Sequence, residues 1–171
     1  MKKNILFLVA IFAVFALTKE AIVAQEAQVS RSIWQVGCGE TVDGKGVCQI
    51  QRDIKHGNGK DLVARLFIVR GVDKKDASIR FLMPLDVNLP YGVRYAVTVQ
   101  GKRSETAGAV YQNCSKDGCL AAAKFSKPLA DAMLAGKTLH IGFATKDLKG
   151  IEINIDLNGF SVVHQKFVKG V

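Results

Sequence analysis

Along most of this chain hydrophobic and polar residues alternate with a period close to two. Val47-Cys48-Gln49-Ile50-Gln51, Ser78 to Met83, Val93 to Val99 and Ile151 to Leu157 each put one apolar set on one face, as a half-buried strand does. Ser32 to Val36, Leu62 to Val69, Leu120 to Phe125, Leu139 to Phe143 and Phe160 to Val168 are further β-rich runs. Turn residues separate these runs about every 8–12 positions, the spacing of an antiparallel sandwich. One segment departs from the pattern. Ser126 to Gly136 offers a cap residue, an early proline, apolar residues at helical spacing and a terminal glycine, which predicts the one short helix. The chain therefore reads as all-β, an antiparallel β-sandwich with a single helix as crossover or edge cover.

The amino terminus is different in kind. Met1-Lys2-Lys3 is followed by thirteen apolar residues, Ile5 to Leu17, and then by Ala21-Ile22-Val23-Ala24 before Gln25. That order matches a secretory signal peptide, whose apolar core runs about 7–15 residues, and it is shorter than the ~20 needed to span a bilayer. Residues 1–24 are expected to be removed, leaving 25–171 as one domain. The full chain has 24 basic and 15 acidic side chains, a net +9. Losing Lys2, Lys3, Lys19 and Glu20 leaves 21 basic and 14 acidic, a net +7. A basic exported protein suits anionic surfaces such as acidic glycans or lipid headgroups. Lys102 and Arg103 in one loop and Lys146 and Lys149 in another, all beside turn residues, are the candidate contacts. No nucleic-acid partner is expected.

Export changes how the cysteines read. Cys38, Cys48, Cys114 and Cys119 form an even set, and thiols outside the cytoplasm are oxidised. Zinc would want two close pairs, but nine residues separate Cys38 from Cys48, and the C-x-x-C of a thioredoxin-type centre does not occur. Three connectivities are open, and the flanking sequence favours local pairing. Cys38 and Cys48 end two alternating runs around a glycine-rich turn, and facing strands bring Cα atoms to roughly 4.5–5.5 Å, within reach of a disulfide. Cys114 and Cys119 flank Ser115-Lys116-Asp117-Gly118 in the same way.

Catalytic signatures are sparse. Gly44-Lys45-Gly46 and Gly57-Asn58-Gly59 are turns rather than phosphate loops, and no G-x-S-x-G or H-E-x-x-H occurs. His56 falls in a loop, His140 should face solvent between Leu139 and Ile141, and His164 falls in the last β-rich run. Asn154-x-Asp156-x-Asn158-Gly159 begins like a calcium loop, but the twelfth position is Gln165 where glutamate is needed. The chain is therefore expected to be neither an enzyme nor a holder of metal or cofactor.

Several motifs in order carry a family resemblance. Trp34-Gln35-Val36-x-Cys38 with Cys48, Met83-Pro84-Leu85, Leu89-Pro90-x-Gly92-Val93, Tyr111-x-x-Cys114-x-x-x-Gly118-Cys119-x-Ala121 and Leu157-x-Gly159-Phe160 resemble the invasion-associated locus B family of alphaproteobacteria. The resemblance implies an exported, virulence-linked protein with an immunoglobulin-like β-sandwich and no assigned active site, associated with host erythrocyte invasion. An envelope-integrity module that affects invasion only indirectly is the alternative. Periplasmic, outer-membrane-associated and secreted locations all fit, with the erythrocyte surface or an anionic glycan or lipid as partner and peripheral membrane association in keeping.

Overall fold

The computed structural model describes residues 34–40, 46–55, 62–70 and 76–170. The expected leader, Ser32-Ile33, His56 and the turns at 41–45 and 57–59 lie outside the described residues. Residues Arg31–Val171 cluster as one compact unit. Among the described residues ten strands appear: β1 (Gln35–Glu40), β2 (Gly46–Lys55), β3 (Leu62–Arg70), β4 (Ala77–Met83), β5 (Val93–Val99), β6 (Lys102–Arg103), β7 (Ala107–Ser115), β8 (Gly118–Lys124), β9 (Thr138–Ala144) and β10 (Gly150–Asp156). Two helices join them, α1 (Lys127–Ala135) and α2 (Phe160–Lys169).

All the pairings are antiparallel, and the strands follow one path, β1-β2-β3-β4-β8-β7-β5-β9-β10, with β6 on β5. The all-β, antiparallel expectation holds, in the form of one curled sheet. Strand β7 serves two blocks: residues 107–109 pair with β5, and residues 110–115 pair with β8, with a bulge between Tyr111 and Asn113. A bulge bends its strand and sharpens the local twist, so the sheet turns a corner here instead of ending.

The resulting sheet curls until opposite ends of its path meet. Trp34 Nε1 and Arg52 Nη1 both donate to the Asp156 carbonyl, at 3.2 and 2.5 Å. Alternation fills the concave side with Ile50, Leu66, Ile68, Ile79, Phe81, Val93, Val97, Leu139, Ile141 and Ile155, all buried. Helix α2 packs on β1 and β2 and touches α1, and Phe160 meets the Trp34 ring edge-on at 5.1 Å.

Helix α2 corrects the sequence reading, since Phe160 to Val168 reads as a strand and the described residues hold two helices, α1 and α2. Its buried residues, Phe160, Val163 and Phe167, are spaced three and four apart. Burying that stripe against β1 and β2 outweighs the strand preference of Val162, Val163 and Val168.

Both cysteine pairs are local disulfides. Cys38 faces Cys48 across β1 and β2, and Cys114 faces Cys119 across β7 and β8. Gly118 closes the second turn at φ +137, and a Cβ there would lie 2.3 Å from the Met83 carbonyl oxygen. Only glycine lets β8 come this close to β4.

Candidate binding surface

At one end of β9, two loops form a single surface. Asn88 N donates to Ala144 O at 2.8 Å and Lys146 N to Asp86 O at 2.7 Å, while Val87 bridges Thr145. The first loop is shaped by Asn88, whose side chain accepts from Tyr91 N at 3.2 Å, and by Gly92 at φ +68, where a Cβ would lie 2.7 Å from Ala109 O. This geometry turns large apolar groups outward: Leu85 is 59% exposed, Leu89 49%, Tyr91 47% and Leu148 74%. Lys146 and Lys149 flank Leu148, and the Arg94 guanidinium lies 6.0 Å from the Tyr91 ring. Apolar tips ringed by cations can bind an apolar phase bounded by anions.

The outer face of β5, β9 and β10 carries a polar network. Thr98 Oγ1 lies 2.8 Å from His140 Nε2, and His140 Nδ1 lies 2.6 Å from Asn154 Oδ1 and 3.3 Å from Glu152 Oε1. His140 thus links the Thr98 hydroxyl on β5 to Asn154 and Glu152 on β10. Arg103 Nη2 donates to Glu152 at 2.7 Å, and that bond lowers the carboxyl's pKa, with His140 adding to the effect. Hydroxyl, imidazole and carboxylate stand in line as in nucleophilic catalysis. The Thr98 backbone, however, is paired on both sides, with Arg103 and Thr138, while acyl transfer also needs free N–H donors for an oxyanion. The network is suited to holding the β5, β9 and β10 surface in one shape.

The four predicted cations do not form one patch. Lys102 and Arg103 lie at the Thr98 end of β5, and Arg103 is occupied by Glu152. Lys146 and Lys149 lie beyond the far end of β9, about 20 Å away at ~3.3 Å per residue. His140 does lie on the outward side of its strand, as predicted, but it is only 18% exposed. His164 is on α2 rather than a strand. Asn154 and Asp156 belong to β10, and Asn158 N donates to the Asp156 side chain at 2.9 Å in a turn that leads to α2.

Two buried arginines went unread. Arg52 lies 5.0 Å from the Trp34 ring, and burial lowers its pKa while the charge of Asp156 opposes the shift. Arg70 donates to the carbonyls of Phe167 and Val168, the latter at 3.2 Å, and closes the free end of α2. Both occupy inward positions of otherwise apolar faces, Cys48-Ile50-Arg52 and Ala64-Leu66-Ile68-Arg70, and that break in alternation was the available signal. Tyr111 also points inward, and burial pushes its phenol up to about 12.

The curled antiparallel sheet, the two local disulfides and the exposed apolar and basic loop end define a disulfide-stapled β module with an outward-facing candidate surface. Residues 34–168 match the family described as invasion associated locus B (IalB) protein, and the chain belongs to that family. The fold is shared with the crystal structure of invasion associated protein B from Bartonella henselae, at a TM-score of 0.67 and 22% identity over 80% of this chain and 91% of that one. No curated protein matches the chain.

Proposed function

We propose that this chain is an exported, non-catalytic module that promotes invasion of host erythrocytes by contact with an anionic surface. The observation that carries this reading is family membership across 34–168, supported by the shared fold of the invasion associated protein B of Bartonella henselae. Two disulfides fit a chain folded in an oxidising compartment, whether periplasmic, outer-membrane-associated or secreted. The basic charge would draw the protein towards sialylated or phosphorylated surfaces, which raises the rate of encounter more than specificity.

Deleting the gene should lower the number of bacteria protected inside red cells while growth in broth is normal, and purified protein should bind erythrocytes or block invasion. If deletion instead sensitises the cell to detergent or bile, and the purified protein neither binds nor competes, the envelope-integrity role replaces this one. Charges at Lys102, Arg103, Lys146 and Lys149 should make binding salt-dependent, because screening sets in within ~10 Å at 0.1 M salt.

A further inference from the structure

Large exposed apolar side chains are unevenly spread over this molecule. Of nine among the described residues, Leu85, Leu89, Tyr91 and Leu148 lie on the two loops joined at the end of β9, and Ile151 follows directly. The backbone bonds from Asn88 to Ala144 and from Lys146 to Asp86 make the loops one body, so their tips keep a fixed relation. Leu148 sits at φ +61, in the left-handed region that glycine and asparagine tolerate and leucine disfavours. With 74% of the residue exposed, no burial within the chain offsets that preference. Neither turn chemistry nor burial within the chain therefore accounts for leucine at this position.

The surrounding charge indicates what this exposed end suits. Lys146 and Lys149 flank the leucine and the Arg94 guanidinium lies by Tyr91, while Asp86 and Asp147 belong to the same loops, so the end is weakly positive on residues 25–171 of net +7. Side chains that project from turn tips, backed by cations, fit a deformable apolar phase with an anionic boundary, where lysine can lay its stem on hydrocarbon and its charge on phosphate. We infer that this end of the sheet docks on a phospholipid bilayer with anionic headgroups. Leu85, Leu89 and Leu148 enter the acyl boundary, Tyr91 lies at headgroup depth, and Lys146 and Lys149 meet the phosphates. This rests on the anionic-surface reading above and deepens it by naming the surface as a lipid bilayer, and it stands whether or not the protein acts on red cells.

The test uses residues 25–171, which contain the compact unit and lack the apolar run Ile5 to Leu17, mixed with phosphatidylcholine vesicles with and without phosphatidylglycerol. The protein should sediment with the anionic vesicles. Leu148→Asn suits the positive φ, so thermal stability should hold or rise while vesicle affinity falls about tenfold, the effect of withdrawing one inserted leucine. Lys146→Glu with Lys149→Glu should erase the preference for phosphatidylglycerol, and Leu134→Gln on α1 should change nothing. Trp34 is the only native tryptophan and is 2% exposed, so a blue shift of Leu148→Trp on adding vesicles reports insertion. Failure to sediment, or binding that Leu148→Asn leaves intact, overturns the inference. So does loss, in that variant, of binding to an erythrocyte membrane protein while vesicle binding is unaltered, which assigns the surface to a protein partner.

Discussion

Helix α1 begins at Ser126, whose hydroxyl accepts from Leu129 N at 3.5 Å, and has Pro128 in its first turn. Helix α2 begins at Gly159, which is at φ +82 and supplies no side-chain cap. Their buried faces differ in the opposite sense. Only Met133 is buried on α1, whereas α2 buries Phe160, Val163 and Phe167 and has its last carbonyls closed by Arg70 from β3. Short helices are marginal in water, so one is held largely by its ends and the other by what it packs against. The two should therefore fail under different substitutions.

Phe160→Ala should have the largest effect. The ring is fully buried, packs edge-on to Trp34 and adjoins the point where the sheet ends meet. Its removal should cost about 3–5 kcal/mol, a large part of a domain's stability, and shift Trp34 emission to the red. A loss below ~1 kcal/mol in urea unfolding would show that α2 does not depend on this packing.

Arg70→Met comes next, since it keeps most of the volume but withdraws the donors to Phe167 and Val168 and the cation 5.0 Å from the Phe167 ring. Bonds from a charged group contribute about 1.5–3 kcal/mol, and leaving buried carbonyls unpaired adds to the loss. Stability should fall by ~2–3 kcal/mol, with exchange of the α2 amides rising before those of α1. Equal loosening of both helices would remove the distinction drawn between them.

The same distinction separates what could be read in advance from what could not. Helix α1 was legible because Ser126, Pro128 and Gly136 act on their own neighbours. Helix α2 was not, because nothing local opposes the strand preference of its valines, and its partners Trp34 and Arg70 are roughly a hundred residues away. Strands β2, β4, β5 and β10 showed in alternation and β3, β8 and β9 as β-rich runs, and the disulfides followed once Cys38 and Cys48 sat on facing runs. Strand β7 was obscured by Gly108, the polar run Gln112-Asn113 and its bulge, and its change of partner, which joins the two blocks, has no local signature. At the candidate surface, Lys146 and Lys149 were legible as loop cations. Leu85, Leu89 and Leu148 were not, because exposure of a leucine is decided by the fold and not by its neighbours in sequence.

Ser126→Ala tests the other side of the comparison. Loss of an N-cap hydroxyl typically costs about 1 kcal/mol, and Ser126→Asp should preserve stability. A cost as large as that of Arg70→Met would mean that α1, like α2, owes its stability to tertiary contacts that its first turn transmits.

Acid gives the smallest effect and acts through α2. The His164 ring lies 5.6 Å from that of Phe160, 6.3 Å from Phe167 and 6.4 Å from Phe125. Burial among these rings lowers its pKa below the ordinary 6.5, the positive charge of Arg70 on β3 lowers it further, and Asp131 on α1 opposes. The unfolded chain therefore takes up a proton that the folded one resists. The resulting stability is fully present above about pH 6.5 and is lost as pH falls towards the depressed folded value. Urea midpoints should decline over that interval in the wild type and decline less in His164→Gln, whose side chain does not titrate. Below the interval, exchange should rise at α2 amides while α1, with its cap and its Lys127 to Asp131 pair at 2.6 Å, should change little. A slope unchanged by His164→Gln, or stability that rises on acidification, would show that this ring is not buried with α2 as described.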